Sequence, residues 1–416
     1  MPDLVSILSD ILYRVEVLHL SVDSAFKQTC EKVGCRTREY DKEFIYKVAR
    51  DFVSHYYQLL EILKLCGMRY SRKEMSRLYL VLRGADLGIK VPSKVRKKFK
   101  SLLARIEKEE VLEKPWIKYS YPRWFYEYLL NLLEDEHQVE NLLRELNRRR
   151  IWLRVNTLKA DYDKALKLLE SEGVEYEIDR DVWYMLKVTK VNKPLHKLEC
   201  IRKGLVVPQD KASALVVEAL KPEPQSVVYD LAAAPGMKTS LIMQITENRA
   251  YVVAVDVSRK RVKAMRHLLK LLGVDMSRVD VVIADSRLNN LRRRADYVLV
   301  DAPCSSSGAI PKDPAVKIHL LKRSRIEYYV EIQREMLMRG LEICLHKLVY
   351  ATCSLFPEEG EEHIEYIVRN SLARAKRPQI PGVPGYHKYM VSDVVRRLYP
   401  HIHETEGFFI AELIPY

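Results

Sequence analysis

The sequence predicts an α/β protein with a doubly wound parallel sheet in its C-terminal half, a small α+β module before it and an all-helical N-terminal region. Three observations support this fold class. From about residue 206 onward, short β-branched apolar runs alternate with amphipathic stretches of helical length. Four of those runs end in an aspartate. Before residue 110, apolar residues recur at helical spacing without strand-like alternation.

The composition is that of a globular, basic chain. The 416 residues are 48% hydrophobic and 30% charged, which suits two or three domains with a sizeable core. The net charge of +14 favours an acidic polymer as partner. Solvated helix faces are the alternative explanation for the basic clusters, which are KVRKKFK (94–100), RRR (148–150), SRKR (258–261) and RRR (292–294). No apolar run reaches 18 residues, so we expect no membrane segment.

The cysteines predict a reducing compartment. Seven cysteines, an odd number without a repeating spacing, argue against a disulfide framework and for the cytoplasm. Cys30 and Cys35 have no matching second pair nearby, so we expect no metal there. We expect these two cysteines and Cys66, Cys200 and Cys344 to fill core or surface positions.

Residues 1–110 are predicted to be entirely helical. LVSILSDILYRVEVL, EFIYKVARDFVSHYYQLLEILKL and SRLYLVLRGADLGI place apolar residues at helical spacing, and Gly34, Gly67 and Pro92 separate such segments. The run DKEFIYKVARDFVSHYYQLLEILKL followed by RLYLVLRGADLGIKVPSKV resembles the NusB-type helical domain. That resemblance implies an RNA-binding helical bundle.

Residues 111–205 are predicted to contain linker helices and then a small α+β module. After residue 150, IWLRVNTLK, EYEID and VWYMLKVTKV are candidate strands, and ADYDKALKLLESEGV is a candidate helix. Arg154 and Asn156 are polar residues in the first of these strands. They are explained either by ordinary inside–outside alternation or by contact with a phosphate or base.

Residues 206–416 are predicted to form the parallel sheet. Its candidate strands are SVVYDLA (226–232), AYVVAVD (250–256), VDVVIAD (279–285), ADYVLVDAP (295–303) and KLVYATC (347–353). Four of them contribute Asp230, Asp256, Asp285 and Asp301, and the fifth ends in Thr352–Cys353–Ser354. Because open α/β sheets bind ligands beyond the carboxyl ends of their strands, these endings predict a binding crevice.

The loop after the first strand predicts what the crevice binds. DLAAAPGMKTS (230–240) is neither a P-loop nor GxGxxG, so it serves a pyrophosphate poorly. Its alanines and Gly236 let a compact, uncharged portion of a ligand lie against the backbone. Asp256, 20 residues after Gly236, is placed either to hold ribose hydroxyls or to cap the next helix. Asp285 is placed to accept from the exocyclic amine of adenine. Ribose and adenine without pyrophosphate indicate S-adenosyl-L-methionine.

Several of these motifs resemble the Sun/Fmu family of RNA cytosine carbon-5 methyltransferases. The matching stretches are DLAAAPGMKT, DAPCSSSG, YATCSLFPEEGE, SYPRW, WLRVNTLK, GLVVPQDKASALV (204–216) and EGFFIAEL (406–413). The resemblance covers about 115–416 and, with the NusB-like N-terminus, looks like the bacterial ribosomal-RNA branch. It implies a NusB-like RNA-binding domain over 1–110, linker helices and an RNA-binding module over 111–205, and a Rossmann-like methyltransferase domain over 206–416. SSSG and EGFF depart from the commoner SGTG-like and DGFF endings.

The same resemblance implies roles for individual residues. It places the methionine portion of the cofactor against Ala232, Ala233, Ala234, Pro235, Gly236, Met237 and Lys238. It implies that Asp256 and Asp285 hold the ribose and adenine, with Asp301 and Arg261 also near the cofactor. For Arg261, a surface charge on a helix is the alternative.

Two cysteines at strand ends predict covalent catalysis. Carbon 5 of cytosine is too weak a nucleophile to attack a methyl sulfonium, and thiolate addition to carbon 6 makes it enamine-like. A second base must then remove the hydrogen on carbon 5, and Asp301 is suited to stabilise charge near N3. Taken alone, DAPC favours Cys304 as the nucleophile. The resemblance instead assigns attack to Cys353 and leaves Cys304 to assist product release.

Alternatives stay open at this point. The cysteine pair also suits a metal site, a regulatory disulfide or two buried structural thiols, and His363 is a further candidate catalytic residue. We expect a cytoplasmic monomer without a metal, acting on flipped-out or single-stranded RNA, with ribosomal RNA favoured over transfer RNA. The competing functions are a non-catalytic RNA-binding or assembly factor with a methyltransferase fold, and an amino-methyltransferase. The DAPC loop differs from the Asn/Asp–Pro–Pro–Tyr-like loop typical of amino-methyltransferases.

Overall fold

A computed structural model describes residues 3–416 of the protein apart from 36, 38, 92, 107–109, 289–292 and 320–322. The chain forms two compact units. The first takes in residues 1–148 and 309–323, and the second takes in 149–308 and 324–416.

The helices are α1 Leu4–Glu16, α2 Val22–Val33, α3 Lys42–Ser54, α4 Tyr56–Leu65, α5 Arg72–Arg83, α6 Ser93–Ile106, α7 Pro115–Lys118, α8 Arg123–Leu133, α9 Glu136–Glu145, α10 Tyr162–Ser171, α11 Glu199–Arg202, α12 Lys211–Leu220, α13 Met237–Ile245, α14 Arg259–Leu271, α15 Ala315–His319, α16 Ser324–Ile343, α17 Glu361–Arg369 and α18 Pro400–His403. The strands are β1 Trp152–Val155, β2 Val174–Ile178, β3 Met185–Val191, β4 Val206–Pro208, β5 Val227–Asp230, β6 Tyr251–Asp256, β7 Val279–Ile283, β8 Ala295–Asp301, β9 Cys344–Thr352, β10 Ala373–Lys376, β11 Val395–Leu398 and β12 Phe408–Pro415.

The first unit is helical in its described residues, as the periodicity predicted. The side chains of Asp3, Ser21, Asp41 and Ser71 accept from backbone N–H groups at the starts of α1, α2, α3 and α5, satisfying donors that a helix leaves unpaired. The apolar stripes of these helices meet in one core, whose members include Ile7, Ile11, Val48, Phe52, Leu78 and Tyr79.

The segment 309–323 joins this unit through Lys317 on α15. The Lys317 ammonium donates to the carbonyls of Ser54, Tyr119 and Ser120 at 2.8, 3.2 and 3.1 Å. It also lies 4.1 Å from the centre of the Tyr121 ring. Burial lowers the pKa of Lys317 well below its usual value. A buried cation therefore fixes this segment through backbone carbonyls and an aromatic face.

Cys30 and Cys35 form a disulfide in the first unit. Both cysteines pack in the helical core, as expected, but the disulfide between them was not predicted. Gly34, with a φ of +77°, reverses the chain after α2 and brings the two Cα atoms to 4.7 Å. This single local bridge is not a disulfide framework, so it leaves the argument from cysteine spacing unchanged.

The second unit begins with an antiparallel sheet in the order β2-β3-β1-β4. The three strands and the helix predicted after residue 150 correspond to β1, α10, β2 and β3. Strand β4 pairs with β1, so this small sheet extends to Pro208, slightly beyond the predicted module.

The larger sheet of the second unit has the strand order β10-β12-β9-β8-β5-β6-β7. Strands β9, β8, β5, β6 and β7 run parallel. The chain starts at the central β5, winds outward through β6 and β7, and then crosses to β8 and β9. The predicted doubly wound arrangement is confirmed, and its switch point lies between β5 and β8.

The sequence pattern did not predict the antiparallel edge of this sheet. Strands β10 and β11 both pair with β12, and β12 pairs with β9. Arg397 on β11 forms a fully buried ion pair with Glu361 on α17, with Nη2 2.5 Å from Oε2. The two adjacent arginines in VVRRL do not look like part of a buried strand. Arg397 is buried there because it forms an ion pair with Glu361.

Within the described ranges, no helix is both long enough and apolar enough to cross a membrane. The same residues contain no group of three or more His, Cys, Asp or Glu side chains arranged to hold a metal ion. The basic cluster at 292–294 begins at a residue outside the described part of the chain.

Candidate active site

The strand ends of the larger sheet bring the predicted acids to one edge. In the register of the sheet, Asp230 lies beside Ala254 and Leu299, Asp256 beside Ile283, and Asp301 beside Ala351. Parallel strands carry these residues to the same edge because each one closes, or nearly closes, its strand. Cys353 follows β9 directly, so its thiol joins the same edge.

The loop between β5 and α13 is the predicted cofactor loop, and it packs closely on its surroundings. Ala233 and Ala234 are buried, and the Ala234–Pro235 peptide is cis. Gly236 has a φ of +102°, and a Cβ there would stand 2.9 Å from Cγ of Met265. Glycine is therefore required both for the backbone conformation and for the approach of α14.

Asp230 is a buried carboxylate in which only one of the two oxygens accepts a hydrogen bond. Its Oδ2 accepts from the Thr239 hydroxyl at 2.7 Å, whereas Oδ1 has no hydrogen-bond partner. Burial raises the pKa of Asp230 to about 6. An unpartnered buried oxygen is costly unless a ligand supplies a donor, so this atom indicates a ligand position.

Asp256 and Arg261 bind each other at the end of β6. The Arg261 guanidinium lies 3.3 Å from Oδ2 of Asp256 and also donates to the carbonyl of Ala234. Arg261 therefore ties the cofactor loop to the β6 carboxylate, which a purely surface charge would not do. Asp256 Oδ1 accepts from the Ser258 backbone at 2.9 Å, and Ser258, not Asp256, caps α14.

Asp285 lies two residues beyond β7 and is held by Arg287. Arg287 donates from Nε to Oδ1 at 2.9 Å and from Nη2 to Oδ2 at 2.6 Å. These hydrogen bonds lower the pKa of the Asp285 carboxyl, which stays ionised. Arg287 also donates from its backbone N–H to Oδ1 at 3.1 Å and from Nε to Oδ2 at 3.2 Å. A ligand amine would therefore share this carboxylate with Arg287.

The edge formed by β5, β6 and β7 fits S-adenosylmethionine. Apolar side chains stand open beside the carboxylates, with Val257 68%, Ile283 49% and Leu288 57% exposed. The open apolar groups suit an adenine ring, the strand-end carboxylates suit ribose hydroxyls, and the free oxygen of Asp230 suits an ammonium group.

Cys304 and Cys353 meet at the other half of the edge. Their sulfur atoms are 3.2 Å apart, and the Gly308 amide donates to the Cys353 carbonyl at 3.0 Å. The hydrogen bond with Cys353, together with burial, raises the pKa of the Cys304 thiol well above its usual value. Cys304 therefore holds its proton more tightly than a free cysteine does.

Asp301 and Lys238 form an ion pair beside the thiols. The Lys238 ammonium is 2.5 Å from Oδ2 of Asp301, and it lies 5.7 Å from the centre of the Phe408 ring. Lys238 thus connects the predicted cofactor loop to the predicted catalytic acid. The sequence assigned it only to the cofactor.

Sequence reasoning missed Glu359, a fully buried carboxylate behind the two cysteines. It accepts from the Ser305 backbone at 2.8 Å, from the Ser305 and Ser354 hydroxyls at 2.5 Å each, and from the Gln333 amide at 3.0 Å. Ser305 follows Cys304 and Ser354 follows Cys353, so one side chain ties both thiol-bearing loops together. Burial raises the pKa of Glu359. The signal available in the sequence was the acid pair in TCSLFPEE.

His363 lies behind this network, away from the thiols. Its Nε2 lies 3.1 Å from Oε1 of Gln333, and Gln333 in turn donates to the carbonyl of Pro303 at 2.8 Å. Burial lowers the pKa of His363 to about 3, so the ring stays neutral at physiological pH. The structure gives His363 a packing position rather than a catalytic one.

Arg154 and Asn156 are also internal. The Arg154 guanidinium donates to Gln244 at 2.6 Å and to Ser240 at 2.7 Å, both on α13. Asn156 donates to the carbonyls of Gly204 and Leu272, at 2.8 Å each. Both side chains are buried, so the interpretation as a phosphate or base contact is wrong. They join the small sheet to α13 and to the end of α14 instead.

Comparison with known families agrees with this geometry. The family described as 16S rRNA methyltransferase RsmB/F matches residues 217–414, and its ferredoxin-like companion domain matches residues 121–192. The chain belongs to this family. The resemblance to Sun/Fmu methyltransferases is therefore confirmed. So is the prediction of S-adenosyl-L-methionine as cofactor, because methyltransferases of this family depend on it.

The named relatives include both a transfer-RNA and a ribosomal-RNA methyltransferase. The chain is 36% identical over 222 residues to a tRNA (cytosine(72)-C(5))-methyltransferase of Pyrococcus horikoshii, covering 53% of this chain and 54% of that one. It is 31% identical over 306 residues to ribosomal RNA small subunit methyltransferase B of Klebsiella pneumoniae, covering 71% and 66%. The chain thus spans less than two thirds of the length of each.

Solved structures support the same fold. The crystal structure of PH0851 covers 99% of both chains with a TM-score of 0.79 and 26% identity. NSun6 from Pyrococcus horikoshii, solved with SFG, an analogue of S-adenosylmethionine, covers 71% of this chain and 98% of its own, with a TM-score of 0.64 and 25% identity. The Rossmann-like fold and the helical N-terminal region are therefore confirmed, whereas a specifically NusB-like bundle remains a prediction.

Proposed function

We propose that the chain is an S-adenosyl-L-methionine-dependent RNA (cytosine-5-)-methyltransferase that forms 5-methylcytosine. The observation that carries this proposal is the pair of thiols 3.2 Å apart at neighbouring strand ends, beside a carboxylate and a cofactor-like crevice. Methylation of an amino group needs no thiol, whereas methylation of a ring carbon needs one for attack and benefits from a base for release.

The cofactor supplies an electrophilic methyl group. Asp256 and Asp285 are assigned to its ribose and adenine, Asp230 to its ammonium, and residues 232–238 to its methionine portion. Arg261 is assigned a positioning role, because it holds both Asp256 and the Ala234 carbonyl.

Cys353 is assigned as the nucleophile. Cys304 shares a hydrogen bond with Cys353 and holds its proton tightly, which leaves Cys304 poorly suited to attack. The Cys353 thiolate bonds to carbon 6 of cytosine, and the electron pair of the 5,6 double bond moves onto carbon 5 and into conjugation with N3. Carbon 5 then becomes nucleophilic enough to take the methyl group, with S-adenosylhomocysteine as the leaving group.

Cys304 is assigned to product release. Once the Cys353 sulfur is bonded to carbon it carries no charge, so the pKa of the Cys304 thiol falls and its proton passes to water. The Cys304 thiolate then takes the proton from carbon 5. The double bond re-forms, Cys353 leaves as a thiolate, and Cys304 again carries the proton.

Asp301 and Lys238 are assigned to the far side of the ring. Negative charge moves toward N3 and O2 when the thiolate adds, and the Lys238 ammonium held by Asp301 offers a positive charge and a proton there. Lys238 takes that proton back when Cys353 leaves. A partly buried, preorganised pair stabilises developing charge better than water does.

The remaining assignments concern RNA. The helical unit is proposed to be a NusB-like RNA-binding domain over 1–110, and the region 111–205 to position RNA through phosphate and shape contacts. The protein is proposed to act as a cytoplasmic monomer that binds RNA through basic surfaces, with the target cytosine flipped out or single-stranded. Ribosomal RNA is the favoured substrate, and transfer RNA is the alternative.

Methyl transfer to RNA tests the proposal. Purified protein, labelled S-adenosylmethionine and total RNA from cells lacking the gene should give labelled 5-methylcytosine, and sequencing of that RNA locates the position. Label in ribosomal RNA supports the favoured substrate, and label in transfer RNA selects the alternative. No transfer to any RNA, with RNA binding intact, would instead favour an assembly factor.

A further inference from the structure

A polar cavity lies in the unit that contains the thiols. Its volume is about 400 Å³, and its walls come from the loop between β2 and β3 and from the segment that follows β10. Arg377, Gln379, Arg396 and Asp181 are its polar lining. None of these four residues belongs to the cofactor crevice or the thiol site.

Arg396 is a nearly buried cation without a carboxylate partner. It is 2% exposed, its Nη1 donates to the Val395 carbonyl at 2.8 Å, and its Nε has no hydrogen-bond partner. Leaving a buried guanidinium group without a counter-charge is costly, so an anion in the cavity that balances the charge of Arg396 would be stabilising. The cavity therefore favours an anion.

The other polar groups of the cavity also favour an anion. Arg377 is exposed at the mouth, and neither it nor Arg396 forms an ion pair with any described carboxylate. The single acid of the lining, Asp181, is engaged by the Lys211 ammonium at 2.7 Å. Two guanidinium groups thus face one cavity whose only carboxylate already has a cation.

The register of the larger sheet places Arg396 near Cys353 and on the same face of the sheet. Arg396 pairs with Ile410, which pairs with Ala351, two residues before Cys353. Side chains alternate along strands, and Ile410, Ala351, Leu398 and Cys353 all pack into the same core cluster. Arg396 shares that face. Two strand spacings separate its backbone from β9, a lateral distance of about 10 Å.

We propose that the cavity binds a phosphate of the RNA strand next to the target cytosine. The proposal rests on the function proposed above, because the cytosine must reach Cys353 for its neighbour to reach Arg396. Guanidinium groups match phosphate geometry through paired N–H donors, and the buried position of Arg396 already holds one of them in place.

The test is the salt dependence of RNA binding. Fluorescein-labelled, unmodified transcripts of a transfer RNA and of a small-subunit ribosomal RNA fragment are titrated at several KCl concentrations with wild type, Arg377→Gln, Arg396→Gln and the double variant. Loss of one phosphate contact should lower the slope of log Kd against log salt by about 0.7–0.9. The double variant should also bind about ten-fold more weakly.

Arg374→Gln is the matched control, because Arg374 is an exposed arginine on the neighbouring β10 that does not line the cavity. An unchanged slope in the double variant, or an equal change in Arg374→Gln, would overturn the proposal. Arg377 is exposed, so its single variant keeps the test decisive if Arg396→Gln fails to fold.

Two further arms separate the possible outcomes. Inorganic phosphate that stabilises the wild type against heat but not the double variant, with no change in the RNA slope, would mean a free-anion site and overturn the RNA assignment. Methyl transfer by the wild type is measured in parallel. Transfer with an unchanged slope rejects only the cavity, whereas a cavity-dependent slope without transfer rejects the catalytic proposal and, with it, the placement of the phosphate next to a target cytosine.

Discussion

At the β8–β9 end of the sheet edge, Glu359 accepts four hydrogen bonds and fixes both thiol-bearing loops. At the β5–β6–β7 end, Asp230 keeps an unpartnered oxygen and Val257 stands 68% exposed. At the first end, the buried carboxylate has its acceptor positions satisfied from within the chain. The other leaves an oxygen and apolar surface for a ligand to cover.

This difference matches the proposed division of labour. Covalent attack needs the two sulfur atoms held at a fixed separation, and a buried polar network that is fully satisfied provides such rigidity. Cofactor binding and product exchange need surface that is covered only part of the time. Disturbing the thiol end should therefore reduce the rate of chemistry, and disturbing the acid end should reduce cofactor affinity.

The largest expected effect separates the two cysteines. Cys353→Ala should lower methyl transfer by at least about 1,000-fold and form no covalent RNA adduct, because the nucleophile is gone. Cys304→Ala should accumulate an RNA–protein adduct on a denaturing gel, because release lacks its base. Cys66→Ala, in the helical unit, serves as control. The opposite gel pattern would exchange the roles of Cys304 and Cys353.

Glu359→Ala should have the second-largest effect. It leaves the donors of Ser305, Ser354 and Gln333 without their acceptor, which should cost about 3–5 kcal/mol of unfolding free energy. At a temperature where the variant stays folded, kcat should fall about 100-fold with little change in cofactor KM. Denaturant unfolding and steady-state kinetics measure both.

Glu359→Gln provides a graded comparison, because it keeps one acceptor oxygen in place. It should recover part of the stability and part of kcat. The neighbouring Glu358→Gln controls for charge. If Glu359→Ala raises only the cofactor KM, the positioning role assigned to Glu359 is wrong.

Asp256→Asn should act at the cofactor end of the sheet edge, which β5, β6 and β7 form. Removing the carboxylate weakens the proposed ribose contacts and frees Arg261, so the Kd for S-adenosylhomocysteine should rise about 30-fold in calorimetry. At saturating cofactor, kcat should stay close to wild type. Asp280→Asn, on the exposed side of β7, is the control. If Asp256→Asn lowers only kcat, the proposed division between a chemistry end and a cofactor end is wrong.

The smallest effect is a pH dependence from Asp230. Its pKa is raised to about 6, so the carboxylate that would bind the cofactor ammonium is lost as pH falls through that value. Affinity for S-adenosylhomocysteine should be about ten-fold lower at pH 5 than at pH 7. Asp230→Asn should weaken binding and flatten the dependence, and a wild-type affinity constant between pH 5 and 7 would contradict the assignment.

The stability of the cofactor-free protein should respond in the opposite direction. A buried carboxyl with a raised pKa stabilises the fold below its unfolded value of 3.8, and that contribution is lost as pH rises through about 6. Thermal unfolding of wild type and Asp230→Asn across this range measures the difference.

Much of the fold and of the site was readable from the chain. The parallel strands β5 to β9 could be predicted because their apolar, β-branched runs end in Asp230, Asp256, Asp301 and Cys353, or lie just before Asp285, and because parallel connection brings such endings together. The edge strands β10 and β11 could not. Arg396 and Arg397 look like surface residues until an antiparallel partner strand and, for Arg397, a buried glutamate are present.

By itself, the sequence determined which chemistry-bearing residues stand at strand ends, because local periodicity and turn residues set where each strand stops. Only the tertiary structure decided which of them act together. It brought the sulfur atoms of Cys304 and Cys353 to 3.2 Å, paired Lys238 with Asp301, and withdrew Arg154 and His363 into the interior. These outcomes depend on strand register and helix packing over long sequence separations, which no local pattern encodes.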